Sequence, residues 1–275
     1  MRILYFTDLH GDYKKYDAIM SLTEKHEANI VINGGDMLPK GGDPYCDQSR
    51  FIADYLDNHF NLFNNKEIHY LNCLGNDDLR IYDNLFDQVC SKYPFVTNIS
   101  QKKIKIDGFE FIGMNWVVDY PFRLKDRCRI DNQEYQFEKQ FGTGLLSSNF
   151  GYQEIEDWFS YAKSLPSIDD ELKGLPVPNN PNKTVYIIHM PPSRLGLDKC
   201  SHGAEVGSVA VFDFIEEQQP LFTLHGHIHE SPAMTGKWFN KIDKTICIQP
   251  GQSDKMAYVV IDLENNSFER FTLNI

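Results

Sequence analysis

Residues 1–10 read Met1-Arg2-Ile3-Leu4-Tyr5-Phe6-Thr7-Asp8-Leu9-His10. A short apolar and aromatic run, closed by a carboxylate and an imidazole two residues apart, reads as a buried strand with polar groups at its carboxyl end. The pattern recurs four times. Ile30-Val31-Ile32 leads to Gly35-Asp36, and Ile68-His69-Tyr70-Leu71 leads to Gly75-Asn76-Asp77-Asp78. Val185-Tyr186-Ile187-Ile188 runs into His189, and Leu221-Phe222-Thr223-Leu224 into Gly226-His227-Ile228-His229. Open α/β sheets place ligands outside the carboxyl ends of their strands, so five such ends would converge on one edge. Carboxylate, amide and imidazole donors without thiolate suit hard or borderline divalent cations.

Between these runs the periodicity changes to helical. Tyr16, Ile19, Met20 and Thr23 give helical spacing, as do Phe51, Ile52, Tyr55 and Leu56, and Leu79 to Val89 fits a third helix. Strands alternating with helices imply a mainly parallel sheet with right-handed crossovers. Ile104 to Phe111 around Asp107-Gly108 predicts a hairpin with a type I′ turn. Periodicity lapses from Val117 to about Tyr152, a helix is predicted over Gln153 to Leu165, and the proline-bearing stretch from Leu175 to Lys183 reads as a connector. Thr245 to Ile248, Met256 to Leu263 and Phe268 to Leu273 look antiparallel. The expectation is a single domain over residues 1–275, with an elaboration at about 117–183. That elaboration is either a surface insertion packed on the body or a lid or substrate wall. Within it Tyr120, Phe122, Arg123, Lys125 and Arg127 set cations beside aromatics, as a solvated loop or as part of that wall.

The ordered blocks Asp8-x-His10, Gly35-Asp36, Gly75-Asn76, His189 and Gly226-His227-x-His229 resemble those of the calcineurin-like metallophosphoesterases. Alone, each block has a plain reading as a turn, a cap or a satisfied histidine; their order along the chain is what carries the resemblance. The resemblance implies an α/β fold, a four-layer α/β/β/α sandwich of two mixed sheets flanked by helices. It implies two divalent ions (Mn, Zn, Fe or Ni) and hydrolysis of a phosphoric ester by a hydroxide held between them. Asp36 would bridge the ions, with Asp8, His10 and His229 completing one and Asn76, His189 and His227 the other. A narrower likeness covers His189-Met190-Pro191-Pro192, Val206-Gly207-Ser208 and Gln219 to Ser231. It is to bacterial and archaeal members of poorly defined substrate, some of which also lack a histidine after Gly-Asn.

Here Asp77 stands where the family usually has that histidine, which protonates the leaving oxygen or stabilises the phosphoryl oxygens. Three readings follow. Asp77 stays protonated and donates, or His202 in the Lys199-to-Gly203 loop replaces the lost group, or the chain is a metal-binding scaffold with little turnover. An ionised Asp77 would penalise a monoester, nearly a dianion, more than a singly charged diester. The expected substrate is therefore a phosphodiester or small nucleotide. His225 reads as a packed or supporting histidine at a strand end, and His26 and His59 as structural or solvated.

The chain has 275 residues, a net charge of −12 and a 41 % hydrophobic content. The length allows a sizeable core. The acidity argues against broad nucleic-acid or anionic-membrane binding, yet bound cations would reverse the field locally for a small phosphorylated substrate. Six dispersed cysteines without a CxxC pair read as free thiols. No stretch reaches membrane-spanning length, the N-terminal apolar run is too short for a signal peptide, and the cytoplasm is the expected location.

Overall fold

The computed structural model describes all 275 residues. Along the chain the first strands are β1 (Arg2–Phe6), β2 (Ile30–Asn33), β3 (His69–Asn72), β4 (Val96–Asn98), β5 (Lys103–Ile106) and β6 (Phe109–Met114). Then come the short β7 (Val117–Val118), β8 (Cys128–Arg129), β9 (Gly144–Ser148) and β10 (Gly151–Ile155). The rest are β11 (Thr184–Ile188), β12 (Phe222–Leu224), β13 (Phe239–Ile242), β14 (Thr245–Ile248), β15 (Met256–Asp262) and β16 (Ser267–Leu273). The helices are α1 (Tyr13–Lys25), α2 (Pro44–Arg50), α3 (Asp57–Asn65), α4 (Asp83–Ser91), α5 (Trp158–Lys163), α6 (Ile168–Lys173), α7 (Val209–Gln218) and α8 (Ser231–Thr235).

Two six-stranded sheets form, ordered β16-β15-β1-β2-β3-β4 and β13-β14-β12-β11-β6-β5. In the first, β1 to β4 are parallel and β15 and β16 antiparallel. In the second, β6, β11, β12 and β14 are parallel, with antiparallel β5 and β13 at the edges. Both sheets are mixed, as expected.

Period-two alternation sorts the apolar side chains into layers. Ile3 and Tyr5 of β1 pack between the sheets with Ile30, Ile32, Phe111, Val185, Ile187, Phe222 and Leu224. Leu4 and Phe6 of the same strand point outward, under Tyr16, Ile19 and Leu22 of α1, Phe60 and Phe63 of α3, and Phe86 and Val89 of α4. On the far side Tyr186, Ile188 and Ile112 lie under Trp158 and Ala162 of α5, Ile168 and Leu172 of α6, and Val211 and Ile215 of α7. Helix, sheet, sheet and helix therefore stack in four layers. No helix is long and apolar enough to cross a membrane. All six cysteines are free thiols.

Three local expectations change. Residues Gln153 to Ile155 are not helical, because Gly151 takes φ +101° and turns them back as β10 against β9. The helix begins only at Trp158, where the Asp157 side chain accepts the Ser160 amide. The stretch predicted from Leu79 starts as a 3₁₀ turn over Arg80–Tyr82 before α4. Phe51–Leu56 is helical but π-type, between α2 and α3; its i,i+5 ladder puts Phe51 and Leu56 on one buried face. The Asp107-Gly108 turn forms as read, both residues at positive φ.

The 117–183 segment supplies α5 and α6 to the outer helical layer. It is pinned by a fully buried ion pair, Lys125 Nζ to Asp119 Oδ1 at 2.7 Å, and Trp158 Nε1 donates to the same oxygen at 2.9 Å. Lys125 is therefore a core cation and is not available to meet a substrate. Removing one partner strands the other charge in the interior. Asp119→Ala should lower the unfolding free energy by about 3–5 kcal/mol, read from denaturant titration. A loss below about 1 kcal/mol, the scale of an exposed pair, would show that the pair does not hold this segment.

Candidate metal centre

Strands β1, β2 and β3 are parallel neighbours in one sheet, and β11 and β12 are parallel neighbours in the other. Their carboxyl ends deliver Asp8, Asp36 and Asn76 from one side, and His189 and His227 from the other. Hydrogen bonds from the Asp8 amide to the Gly35 carbonyl and from the His10 amide to the Asp36 carbonyl, both 2.9 Å, lock the first two loops together. The aim of these side chains comes from a costly backbone. Asp8, His10, Asp36 and His227 have φ of 56°, 46°, 49° and 68°, and a non-glycine residue held there costs on the order of 1–3 kcal/mol. Such strain persists where the surroundings over-determine it, as at ligand clamps.

Two clusters result. Asp8, His10 and Asp36 each offer an atom within 4.8 Å of the others, and so do Asp36, His189 and His227. Asp36 belongs to both. Asn76 Oδ1 joins the second, 2.6 Å from His227 Nδ1 and 3.1 Å from His189 Nε2. His229 is more peripheral: its ring lies 6.0 Å from that of His10, and its Nδ1 is 3.6 Å from Glu230. Thus six of the seven expected ligands meet closely and the seventh borders them.

The donors fit cations. Asp8 Oδ2 and both ring nitrogens of His10 are buried with no hydrogen-bond partner, and an orphaned buried polar atom is costly unless something binds it. His189 Nδ1 donates to the Gly34 carbonyl at 2.9 Å. This directs Nε2 inward, the orientation that an outer hydrogen bond gives a metal-ligating histidine. Burial alone would lower the His189 pKa, but the Asp36 and Asp8 carboxylates raise it to about 9, so a proton gathers where positive charge is wanted. Asp36 is held well below the usual carboxylate range: burial opposes this, and His189 and His10 outweigh it. Burial and the His189 charge push His227 down to about 3, keeping its ring neutral.

Several further side chains support these ligands, and of them only Asp78, the last of the Gly75-to-Asp78 block, stands in a motif. The buried Asp78 carboxylate accepts the amides of Met37, Leu38 and Gly75 at 2.9, 2.8 and 2.7 Å. It staples the Asp36 loop to the Asn76 loop, and burial and Asp36 raise its pKa to about 7. Gln48 of α2 bridges the carbonyls of Pro39 and Asp77. Arg127 is buried, paired with Asp83, and donates to the Gly75 carbonyl at 2.8 Å; it positions the site from beneath and is not free for a substrate. Glycine is required at 75 and 226, where a Cβ would meet the Asp36 amide and carboxylate in one case and Thr7 and Asp8 in the other.

Asp77 is not alone. Lys40 Nζ lies 2.7 Å from its Oδ2, and Asn76 Nδ2 donates to its Oδ1 at 3.2 Å. Both Asp77 oxygens thus face a donor. His202 is exposed; its loop is tied to the site's border by the Ser201 amide donating to Glu230 at 3.1 Å. His225 is a core histidine, spanning the carbonyls of Ile188 and Met190 and the Thr223 hydroxyl. His59 is buried among aromatic rings, and His26 meets the Tyr258 hydroxyl at 3.2 Å.

The sequence model of the calcineurin-like phosphoesterase family matches residues 1–231. No curated protein matches the chain. Among solved structures, one crystal structure has a TM-score of 0.64 at 15 % identity, covering 99 % of this chain and 98 % of its own. TT1561 of Thermus thermophilus has a TM-score of 0.59 at 17 % identity, covering 98 % of each chain. An archaeal phosphodiesterase has a TM-score of 0.50 at 11 % identity, covering 99 % of this chain and all of its own. At these identities the likeness is one of fold.

Because Asp36 is shared by the two clusters, Asp36→Asn should lower occupancy at both positions. Elemental analysis after Mn²⁺ loading should approach two equivalents per chain for the parent and fall below one for the variant. The Mn²⁺-dependent rise in melting temperature should shrink with it. Two tightly held ions in the variant would show that Asp36 is not the shared ligand.

Proposed function

We propose that this chain, which belongs to the calcineurin-like phosphoesterase family, hydrolyses a phosphodiester or small nucleotide with two divalent ions. The observation that carries this reading is Asp36: one buried carboxylate common to two clusters, beside orphaned atoms of Asp8 and His10. Two-metal sites hold their ions about 3.5–4 Å apart, and a carboxylate can span that gap. Asp8, His10 and His229 would hold one ion and Asn76, His189 and His227 the other. Bound there, such ions supply an activated water and neutralise charge on the phosphoryl oxygens.

The chain's own contribution lies around Asp77. With Lys40 at 2.7 Å the pair is close to neutral, so Asp77 does not repel a phosphate as an isolated carboxylate would. Nor does Lys40 offer an unopposed cation to a monoester's second negative charge. A singly charged diester needs no such cation, and this supports diester over monoester. The contact with Asp77, next in the chain to Asn76, holds the Lys40 ammonium at the edge of the cluster. That ammonium is assigned to orient a phosphoryl oxygen. Protonation of the leaving oxygen falls to Lys40 or to His202, whose loop borders His229. The likeness in fold to an archaeal phosphodiesterase agrees with this reading. Turnover of bis-p-nitrophenyl phosphate, p-nitrophenyl phosphate and cyclic nucleotides by the Mn²⁺-loaded protein tests it. No activity on any of them at full metal occupancy would favour a metal-binding scaffold.

Selectivity should follow the charge of the pair. A unit charge about 5 Å away at an effective dielectric of about 20 is worth about 3 kcal/mol, and a third of that is roughly fivefold. Asp77→Asn, which frees Lys40, should raise the monoester-to-diester ratio of kcat/KM by about fivefold. Lys40→Met, which leaves Asp77 unopposed, should lower it by a similar factor. Ratios unmoved in both variants would remove the pair from substrate selection.

A further inference from the structure

From His227 a run of aromatic rings leads away from the metal centre. The Tyr120 ring lies 5.8 Å from that of His227, Phe122 is 5.9 Å from Tyr120, and Phe141 is 5.3 Å from Phe122, edge to face. Tyr120 is anchored by its hydroxyl on the Leu124 carbonyl at 2.9 Å. Phe122 and Phe141 stand 62 % and 70 % exposed. Large rings normally turn inward, and two adjacent ones held in water beside a site call for an explanation.

They are held, not loose. The Phe141 amide donates to the Pro121 carbonyl and the Leu145 amide to the Arg123 carbonyl, both at 2.8 Å. Arg123 clamps the two segments, with Nε on the Thr143 carbonyl at 3.1 Å and Nη2 on Glu154 at 3.0 Å. The two segments are therefore ordered before anything binds, which is how a preformed site avoids an entropic cost on binding.

We propose that Phe122 and Phe141, joined to the metal centre through Tyr120, form a subsite that stacks the nucleobase of a phosphodiester substrate. The proposal rests on the hydrolase reading above and narrows its substrate to diesters with at least one nucleoside arm. Continuity with the ligand histidine argues for a substrate group, and an exposed ring face with a second ring standing across its edge suits one flat heterocycle. The net charge of −12 opposes a long polyanion or an anionic membrane as the occupant. Base-on-aromatic stacking is worth about 1–3 kcal/mol per base, roughly 5- to 150-fold in affinity.

The test uses two esters with the same leaving group on the Mn²⁺-loaded protein: the p-nitrophenyl ester of thymidine 5′-phosphate and methyl p-nitrophenyl phosphate. The parent should show the lower KM for the thymidine ester. In the Phe122→Ala/Phe141→Ala variant that KM should rise about tenfold, with the methyl ester, the metal content and the melting temperature unchanged. Equal effects on both esters, or none, would overturn the subsite. A parent that dimerises by sedimentation through these rings, with the dimer lost in the variant, would overturn it too, by giving the ledge to a second copy. If the fully loaded parent cleaves neither ester, the hydrolase reading fails separately. Thymidine binding by ligand-observed NMR then decides the ledge: binding lost in the variant supports it, and no binding by the parent ends it.

Discussion

The arrangement turns on negative charge concentrated where water is excluded. Asp8 and Asp36 are almost wholly buried at adjoining strand ends, and two carboxylates in a low dielectric repel unless positive charge stands between them. In the protein alone His189 supplies it, with a proton held up to about pH 9. Two divalent ions would supply more. The left-handed backbone at four ligand positions and the unsatisfied atoms of Asp8 and His10 are costs that such ions would offset.

That concentration imposes demands on its surroundings. Three donor amides converge on Asp78 so that the Asp36 and Asn76 loops cannot separate. Gly75 and Gly226 have no Cβ because the loops approach to contact. Arg127 reaches from the 117–183 segment to the Gly75 carbonyl, and Tyr120 of the same segment lies against His227. The elaboration is thereby coupled to the site twice, through a buried cation from below and through aromatic rings at the rim. Phe122 and Phe141 are among its exposed side chains, while Lys125 is committed to the interior. A substrate wall built from cations would have competed with the ions for phosphate. One built from rings adds affinity without charge.

Asp77 and Lys40 show how a sequence difference is read only with its neighbour. A carboxylate beside a phosphate site suggests repulsion; the same carboxylate 2.7 Å from an ammonium is half of a near-neutral pair.

The sequence by itself determined the strands that carry the site, the mixed two-sheet sandwich and the set of metal-ligand candidates. The strands and the candidates rest on local pattern: apolar runs of strand length, polar residues at their ends, Asp-Gly at a hairpin. The two-sheet sandwich rests on the resemblance of the ordered blocks to a known family. Local pattern could not place Gln153 to Ile155, because a glycine turn and a partner strand overrode helical spacing. Nor could it tell that Lys125 and Arg127 are buried while Phe122 and Phe141 are not, since burial depends on which surface a loop folds against. What Asp78, Gln48 and Lys40 bond to was invisible for the same reason, although Asp78 itself closes the Gly75-to-Asp78 block. Their partners lie 41, 29 and 37 residues away in sequence, and only the packing of one loop on another brings a charge or an amide to within bonding distance. Composition and spacing specify which groups are present; tertiary structure decides which of them face each other, and so which charges act singly and which cancel.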